Sequence, residues 1–164
     1  MRAPPDRYVE LRENMVARHI AARGIASERV LTAMGSVRRE AFLPEDLREF
    51  AYEDSPLPIA EDQTISQPYI VALMVDALEL RGGEKVLEIG TGSGYAAAVL
   101  AEIAGEVYTI ERFGSLAAKA AATLTDLGYH NVHVLHGDGT KGWAEHAPYD
   151  AIVVAAGGDR KSVV

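Results

Sequence analysis

The sequence predicts an α/β protein: a parallel sheet with helices on both faces and a helical cap at the N-terminus. From residue 85 onward, short apolar runs alternate with helical stripes, and a glycine-rich turn joins the first run to the first helix. The first fifty residues follow a different, purely helical pattern. Strands spaced by helices form right-handed βαβ units, and ligands of such sheets bind at the carboxyl ends of the strands, near the topological switch point. The candidate site therefore begins at Gly90.

Each element has its own signal. Tyr8 to Arg23 carries Val9, Met15, Val16, His19 and Ile20 at helical spacing and stops at Gly24, and Ser27 then caps Glu28 to Met34 ahead of Gly35. Ala51 to Ser66 holds Pro56, Pro58 and four acids with few periodic apolar residues, and reads as an ordered loop. Pro68 stands at a first helical position, and Ile70, Leu73, Met74, Ala77 and Leu78 form a stripe that ends before Gly82-Gly83. Lys85 to Ile89 is a strand, Tyr95 to Ala104 a helix of small residues, Glu106 to Ile110 a strand and Leu116 to Leu127 a helix. Asn131 to Leu135 and Asp150 to Val154 are two further strands. Residues 1–66, as helices and a loop, are expected to pack onto a core formed by residues 67–158.

The 164 residues suit one hydrophobic core. Net charge is −8, split into +1 over residues 1–50 and −9 over the remainder, which argues against a partner with a phosphate backbone or an anionic lipid surface. With no cysteine there is no disulfide framework, thiolate metal site or cysteine nucleophile, and a cytoplasmic address fits. No stretch approaches the ~20 apolar residues of a membrane span, and no apolar h-region follows Met1 to Asp6, so neither insertion nor secretion is expected. His130, His133 and His136 fall on a strand whose side chains alternate between faces, so no metal site is expected there. Trp143 and Tyr149 read as packing, and no Gly-x-Ser-x-Gly elbow supports a hydrolase.

The turn Gly90-Thr91-Gly92-Ser93-Gly94 lets backbone approach a ligand closely and presents N–H groups to it, which implies a nucleotide-like ligand. A dinucleotide fingerprint needs Gly-x-Gly-x-x-Gly, and Tyr95 stands where its third glycine belongs, so the nicotinamide reading fails. Gly-x-Gly-x-Gly behind a strand carrying an acid, Glu88, resembles the first motif of the S-adenosylmethionine-dependent methyltransferases. Glu111 lies about 20 residues past the first glycine, where a carboxylate accepts from both ribose hydroxyls. Its neighbour Arg112 either joins this cofactor site or pairs with Glu111 on the surface. Asp138, between Gly137 and Gly139, either accepts from an adenine amino group while Gly139 keeps the backbone close, or closes an Asx-turn.

The segments Leu57-Pro58-Ile59 and Gln63-Thr64-Ile65-Ser66-Gln67-Pro68-Tyr69-Ile70-Val71-Ala72, with the glycine turn and Pro148 to Val154, closely resemble the protein-L-isoaspartate O-methyltransferases. The resemblance runs from about Met15 to Gly158. It implies a Rossmann-like class I methyltransferase sheet and methyl transfer from S-adenosyl-L-methionine to the free carboxylate of isoaspartyl residues in damaged proteins and peptides. It also implies that Ser66 is the active-site serine and that Thr64, Ile65 and Ser66 lie beside the cofactor. Read from the residues alone, Ser66 is an N-cap for the helix at Pro68. The family usually has a glycine just before Gln63 and another two residues ahead of it. Here Ala60-Glu61-Asp62 puts two acids beside the site of an anionic substrate.

The family's sheet continues beyond the fourth parallel strand, so this chain is expected to lack the last strands, leaving Asp150 to Val154 with an open edge. A truncated chain would self-associate where the full-length form is a monomer. Asp159 to Val164 is expected to be a non-native tail, since a DNA string encoding these six residues resembles the start of a common sequencing adapter. Three functions stay open at this level: isoaspartyl carboxyl methylation, methylation of another carboxylate or small molecule, and an inactive cofactor-binding fragment.

Overall fold

A computed structural model describes residues 6–156, and the expected tail at 159–164 lies outside them. The N-terminal part is helical, as its pattern requires. Helix α1 (Arg7–Met15) is capped by Asp6, whose side chain accepts from the Tyr8 N–H at 3.2 Å. It passes through a π-helical turn, Val16–Ile20, and a 3₁₀ turn, Ala21–Arg23, before Gly24 ends it at φ 102°. Helix α2 (Glu28–Ser36) starts at the expected Ser27 cap, which accepts from the Val30 N–H. Two 3₁₀ turns, Arg39–Phe42 and Glu45–Phe50, follow.

The segment expected to be a loop contains a small antiparallel hairpin, β1 (Leu57–Pro58) with β2 (Thr64–Ile65). Two residue pairs are too few to leave an alternation in the sequence. Helix α3 (Pro68–Ala77) begins with Pro68 at its first turn. Beyond it come β3 (Lys85–Ile89), α4 (Tyr95–Ala101), β4 (Glu106–Glu111), α5 (Gly114–Asp126), β5 (Val132–His136) and β6 (Ala151–Val154). The last four strands form one parallel sheet in the order β5-β4-β3-β6. Chain order reverses between β3 and β6, which makes their carboxyl ends the switch point.

Register decides which side chains share a face. Val86, Val107 and Val132 lie in one row, with Val153 two residues along β6, and this face joins the main buried cluster that runs from Met15 through α2, α3 and α4. Leu87, Tyr108 and Ile110 point the other way and form a second cluster with Trp143 and Tyr149. Among the described residues, α4 and α5 lie on the face of the main cluster. The steps β3→β4 and β4→β5 run in the same direction, so right-handed crossovers put α4 and α5 on one face. Among the described residues the second face is covered only by the 137–150 segment, which carries two 3₁₀ turns, Gly139–Lys141 and Ala144–His146. Ile152 and Val154, on that face of β6, remain 57% and 64% exposed.

Helix α4 lies close to the sheet because Ala97, Ala98, Val99 and Leu100 are all buried. Burying each of the two larger ones contributes roughly 1.5–3 kcal/mol. Its carboxyl end is closed by Asn131, whose side-chain amide donates to the Ala101 carbonyl at 3.0 Å.

At the end of β3, Gly90 has φ +96°, and a Cβ there would lie 2.6 Å from the Ala156 nitrogen. Gly128 also has positive φ, +86°, but faces open space. Gly128→Ala is therefore expected to cost about 1 kcal/mol from backbone conformation alone. Gly90→Ala should cost clearly more, because the β3–β6 junction must also move. Urea unfolding of the two variants measures the difference.

Candidate active site

Four strand ends meet at the switch point. The Gly90 N–H donates to the Ile110 carbonyl at 2.9 Å, and the Ala155 and Ala156 N–H groups donate to the Ile89 carbonyl at 2.8 and 3.0 Å. The Gly137 N–H donates to the Glu111 carbonyl at 3.0 Å. Gly139 lies so close to β3 that a Cβ would meet Ile89 at 2.5 Å, so Asp138 and Gly139 are brought to the same rim.

Glu111 ends β4 beside the glycine turn. Its Oε2 accepts from the Gly92 N–H at 2.7 Å and its Oε1 from the Phe113 N–H at 3.2 Å. A carboxylate oxygen has two acceptor sites, so each retains capacity for a further donor. Arg112 does not pair with Glu111; it is exposed, and its guanidinium lies over the Phe113 ring at 4.6 Å. Ser93 caps the next turn, its hydroxyl accepting from the Tyr95 N–H at 3.2 Å.

Glu88 lies beneath the turn, fully buried. The Thr109 hydroxyl donates to its Oε1 at 2.6 Å, and the Thr91 hydroxyl lies 2.6 Å from that of Thr109. Its Oε2 is buried with no hydrogen-bond partner among the described residues. Burial, followed by the neighbouring Glu111 charge, pushes the Glu88 carboxyl up to about 8 against the opposing Thr109 hydrogen bond. Glu88 thus supports the turn from below.

Asp138 is exposed and closes an Asx-turn: its Oδ1 accepts from the Thr140 hydroxyl at 2.7 Å and the Thr140 N–H at 3.0 Å. The Thr140 hydrogen bonds hold its carboxyl below the usual range. Both hydrogen bonds fall on Oδ1, so the turn and a further contact at Oδ2 are compatible.

Ser66 sits between β2 and α3, half-buried, with Ile65 buried and Thr64 exposed beside it. The N-cap of α3 is Gln67, without a side-chain capping bond, so Ser66 is not the cap that local reading suggests. The Ser66 carbonyl accepts from Arg39 Nη1 at 2.9 Å, while its hydroxyl has no partner among the described residues.

The hairpin tip carries the unusual acids. Glu61 and Asp62 have φ of 59° and 51°, the left-handed region that glycine occupies freely, in a turn where the Gln63 N–H donates to the Ala60 carbonyl at 3.2 Å. Glu61 accepts from the Ser115 hydroxyl of α5 at 2.9 Å, and both acids are exposed. Solvent therefore screens the expected repulsion of an anionic substrate. The tip leans on the glycine turn, forming a shallow cleft lined by Ile59, Ala60, Gly92, Ser93, Leu116 and Ala120.

Sequence reasoning missed the polar cluster behind this site. Arg39 and Glu40 are both buried. Glu40 accepts a short hydrogen bond from the Tyr52 hydroxyl, which in turn accepts from Arg12 at 2.9 Å. The available signal was Arg39-Glu40 set between Val37 and Ala41-Phe42-Leu43, charges flanked by apolar residues. Among the described residues no three acids or histidines gather as metal ligands, and no helix is long and apolar enough to cross a membrane.

A parallel sheet with its glycine turn at the switch point and an acid ending the next strand is the arrangement of the Rossmann-like methyltransferases. Within that class the family model described as Protein-L-isoaspartate(D-aspartate) O-methyltransferase matches residues 10–161, and the chain belongs to this family. A protein-L-isoaspartate O-methyltransferase 1 of Rhodopseudomonas palustris strain HaA2 is 69% identical over 151 residues, 92% of this chain and 62% of the relative. One from Synechococcus sp. strain JA-2-3B'a(2-13) is 58% identical, over 93% of this chain and 64% of its own length. The chain thus spans less than two thirds of these relatives. A solved protein-L-isoaspartate O-methyltransferase structure superposes with TM-score 0.80 at 33% identity, covering 89% of this chain and 48% of that one. A Plasmodium falciparum structure, itself in complex with S-adenosyl-L-homocysteine, shares the fold with TM-score 0.71 at 23% identity, over 88% of this chain and 73% of that one.

Glu88 makes stability depend on pH. In the folded protein its carboxyl stays protonated up to about 8, whereas in the unfolded chain it ionises near 4.5, so unfolding releases a proton between those values. Stability is expected to fall as pH rises through that window, at up to about 1.4 kcal/mol per unit from this group. Glu88→Gln should remove that component, so its stability relative to the parent rises from pH 5 to pH 8 in urea titrations.

Proposed function

We propose that this chain carries the cofactor seat and active-site serine of an enzyme that transfers a methyl group from S-adenosyl-L-methionine to the carboxylate of isoaspartyl residues in damaged proteins and peptides. The observation that carries this reading is the Glu111 carboxylate, held against the Gly92 N–H in a chain of this family. The residue set fits such a cofactor. Glu111 has acceptor capacity left for ribose hydroxyls, Asp138 Oδ2 is available to an adenine amino group, and Gly90, Gly92 and Gly94 leave three positions of the turn without a side chain. Thr91 and Glu88 brace that turn, with Ser93 and Gly139 on its rim; Arg112 flanks the ribose seat, and Thr64 and Ile65 flank the serine.

The bound cofactor supplies an electrophilic sulfonium methyl. An isoaspartyl carboxylate is ionised at neutral pH, so its attack needs no general base; it needs in-line placement and removal of water. The unpartnered Ser66 hydroxyl donates to one carboxylate oxygen and leaves the other to attack. This serves a cytoplasmic repair enzyme, a reading compatible with the cysteine-free sequence.

The test pairs two peptides that differ only in aspartyl or isoaspartyl linkage, with labelled cofactor. Only the isoaspartyl peptide should be labelled. Ser66→Ala should lower kcat/KM by roughly ten- to a thousandfold with affinity for S-adenosylhomocysteine little changed. Glu111→Ala should weaken that affinity by about 1–3 kcal/mol in calorimetric titration. Labelling of both peptides alike, or unchanged affinity in Glu111→Ala, would overturn the assignment.

We further propose that the 164-residue chain on its own self-associates, and that the full-length form is a monomer. The outer edge of β6 has no neighbour among the described residues, and Ile152 and Val154 present an apolar flank beside it. Light scattering should show dimers or larger species at micromolar concentration. Ile152→Lys combined with Val154→Lys should reduce them, and a stable monomer of the unaltered chain would refute the idea.

A further inference from the structure

Arg39 has no exposed surface, and among the described residues no carboxylate lies within salt-bridge distance of it. Its guanidinium spends its donors on backbone instead. Nε donates to the Ala51 carbonyl at 2.7 Å, Nη1 to the Ser66 carbonyl at 2.9 Å and Nη2 to the Ser55 carbonyl at 3.4 Å. Ala51 and Ser66 are the two ends of the segment that carries the β1–β2 hairpin, so one planar group closes that loop at its base. On its other side the guanidinium lies over the Tyr95 ring, 4.9 Å from the centroid. Tyr95 is the first residue of α4, directly after Gly94 of the glycine turn.

A buried cation without a counter-ion is expensive unless its hydrogen bonds are met, and it persists only where the surroundings return that energy. Here three carbonyls and an aromatic face do so. The fork geometry matters, because each of three guanidinium nitrogens meets its own carbonyl, whereas a lysine ammonium is a single nitrogen on a flexible stem and cannot reproduce that spread. Arg39 therefore ties the residue next to the substrate to the residue next to the cofactor turn.

We propose that Arg39 is the positioning residue of this site: its guanidinium sets the distance between Ser66 and the glycine turn, so that serine and cofactor seat form one rigid unit. The catalytic consequence rests on the assignment of Ser66 above; the mechanical one does not. A carboxylate held in line by Ser66 is productive only if Ser66 keeps its place relative to the methyl donor, and small misplacements are costly in rate.

The deciding measurement is amide hydrogen exchange on the 164-residue protein. In Arg39→Lys, the Ile59 and Gln63 amides, which are hydrogen-bonded within the loop, should exchange about tenfold faster, while amides of β3 and β4 stay as in the parent. Unchanged loop exchange, or equal loosening of loop and sheet, overturns the proposal. Should Arg39→Lys fail to fold, Tyr95→Leu decides: it keeps the hydrogen bonds and removes the ring, and unchanged loop exchange in it also overturns the proposal. With an isoaspartyl peptide, Arg39→Lys should lower kcat/KM roughly tenfold while affinity for S-adenosylhomocysteine changes less than about threefold. Added to Ser66→Ala, it should cost less than about threefold more, since it acts through that serine. If Ser66→Ala is as active as the parent, the serine assignment falls while the exchange result still judges Arg39.

Discussion

The carboxyl end of β3 leaves no room for a side chain at residue 90, and the site is assembled around that close approach. With Gly90 in place, the Ala155 and Ala156 N–H groups reach the Ile89 carbonyl, so β6 lies against β3. The same turn keeps the Gly90 N–H on the Ile110 carbonyl, which brings β4 and its terminal Glu111 to the other side. A carboxylate with acceptor capacity to spare beside a glycine-rich turn is thus a consequence of how tightly three strands are drawn together at one point.

Around this point the structure buries polar groups where an ordinary core would hold aliphatic ones. Glu88, Thr109, Thr91 and Glu111 lie beneath and beside the turn, and Arg39 and Glu40 lie behind Ser66. Such groups cost stability relative to apolar packing unless satisfied, and most are satisfied by backbone or hydroxyl partners. The exception, Glu88 Oε2, is relieved by protonation, which keeps a second negative charge away from Glu111.

The departures from the family pattern fall at the hairpin tip. Residues 61 and 62 adopt the left-handed conformation in which glycine is at ease, so a glycine before Gln63 has a backbone reason. Acids occupy these positions here, and Glu61 reaches across to Ser115 of α5. The hairpin therefore leans on the helix that follows β4, closing the cleft over Gly92 from outside. Both acids remain exposed to solvent, which screens their charge.

Apolar runs bounded by glycine and proline determined β3 to β6, helical stripes determined α2, α3 and α5, and the pattern Gly90-x-Gly92-x-Gly94 followed by Glu111 located the glycine turn at the carboxyl end of β3 and the acid beside it. These are properties of residues within a few positions of one another. Tertiary structure alone decided what those residues meet. It paired Glu111 with the Gly92 amide rather than with Arg112, released Ser66 from the capping role that its place before Pro68 suggests, and made Asp138 an Asx-turn with one oxygen to spare. It also put α4 and α5 on one face of the sheet, because the handedness of successive crossovers is fixed by strand order and not by helix pattern. Arg39 is the clearest case: the sequence shows an arginine in an apolar stretch, but its three carbonyls lie 12 to 27 residues away. Only the folded chain brings them within reach of one guanidinium.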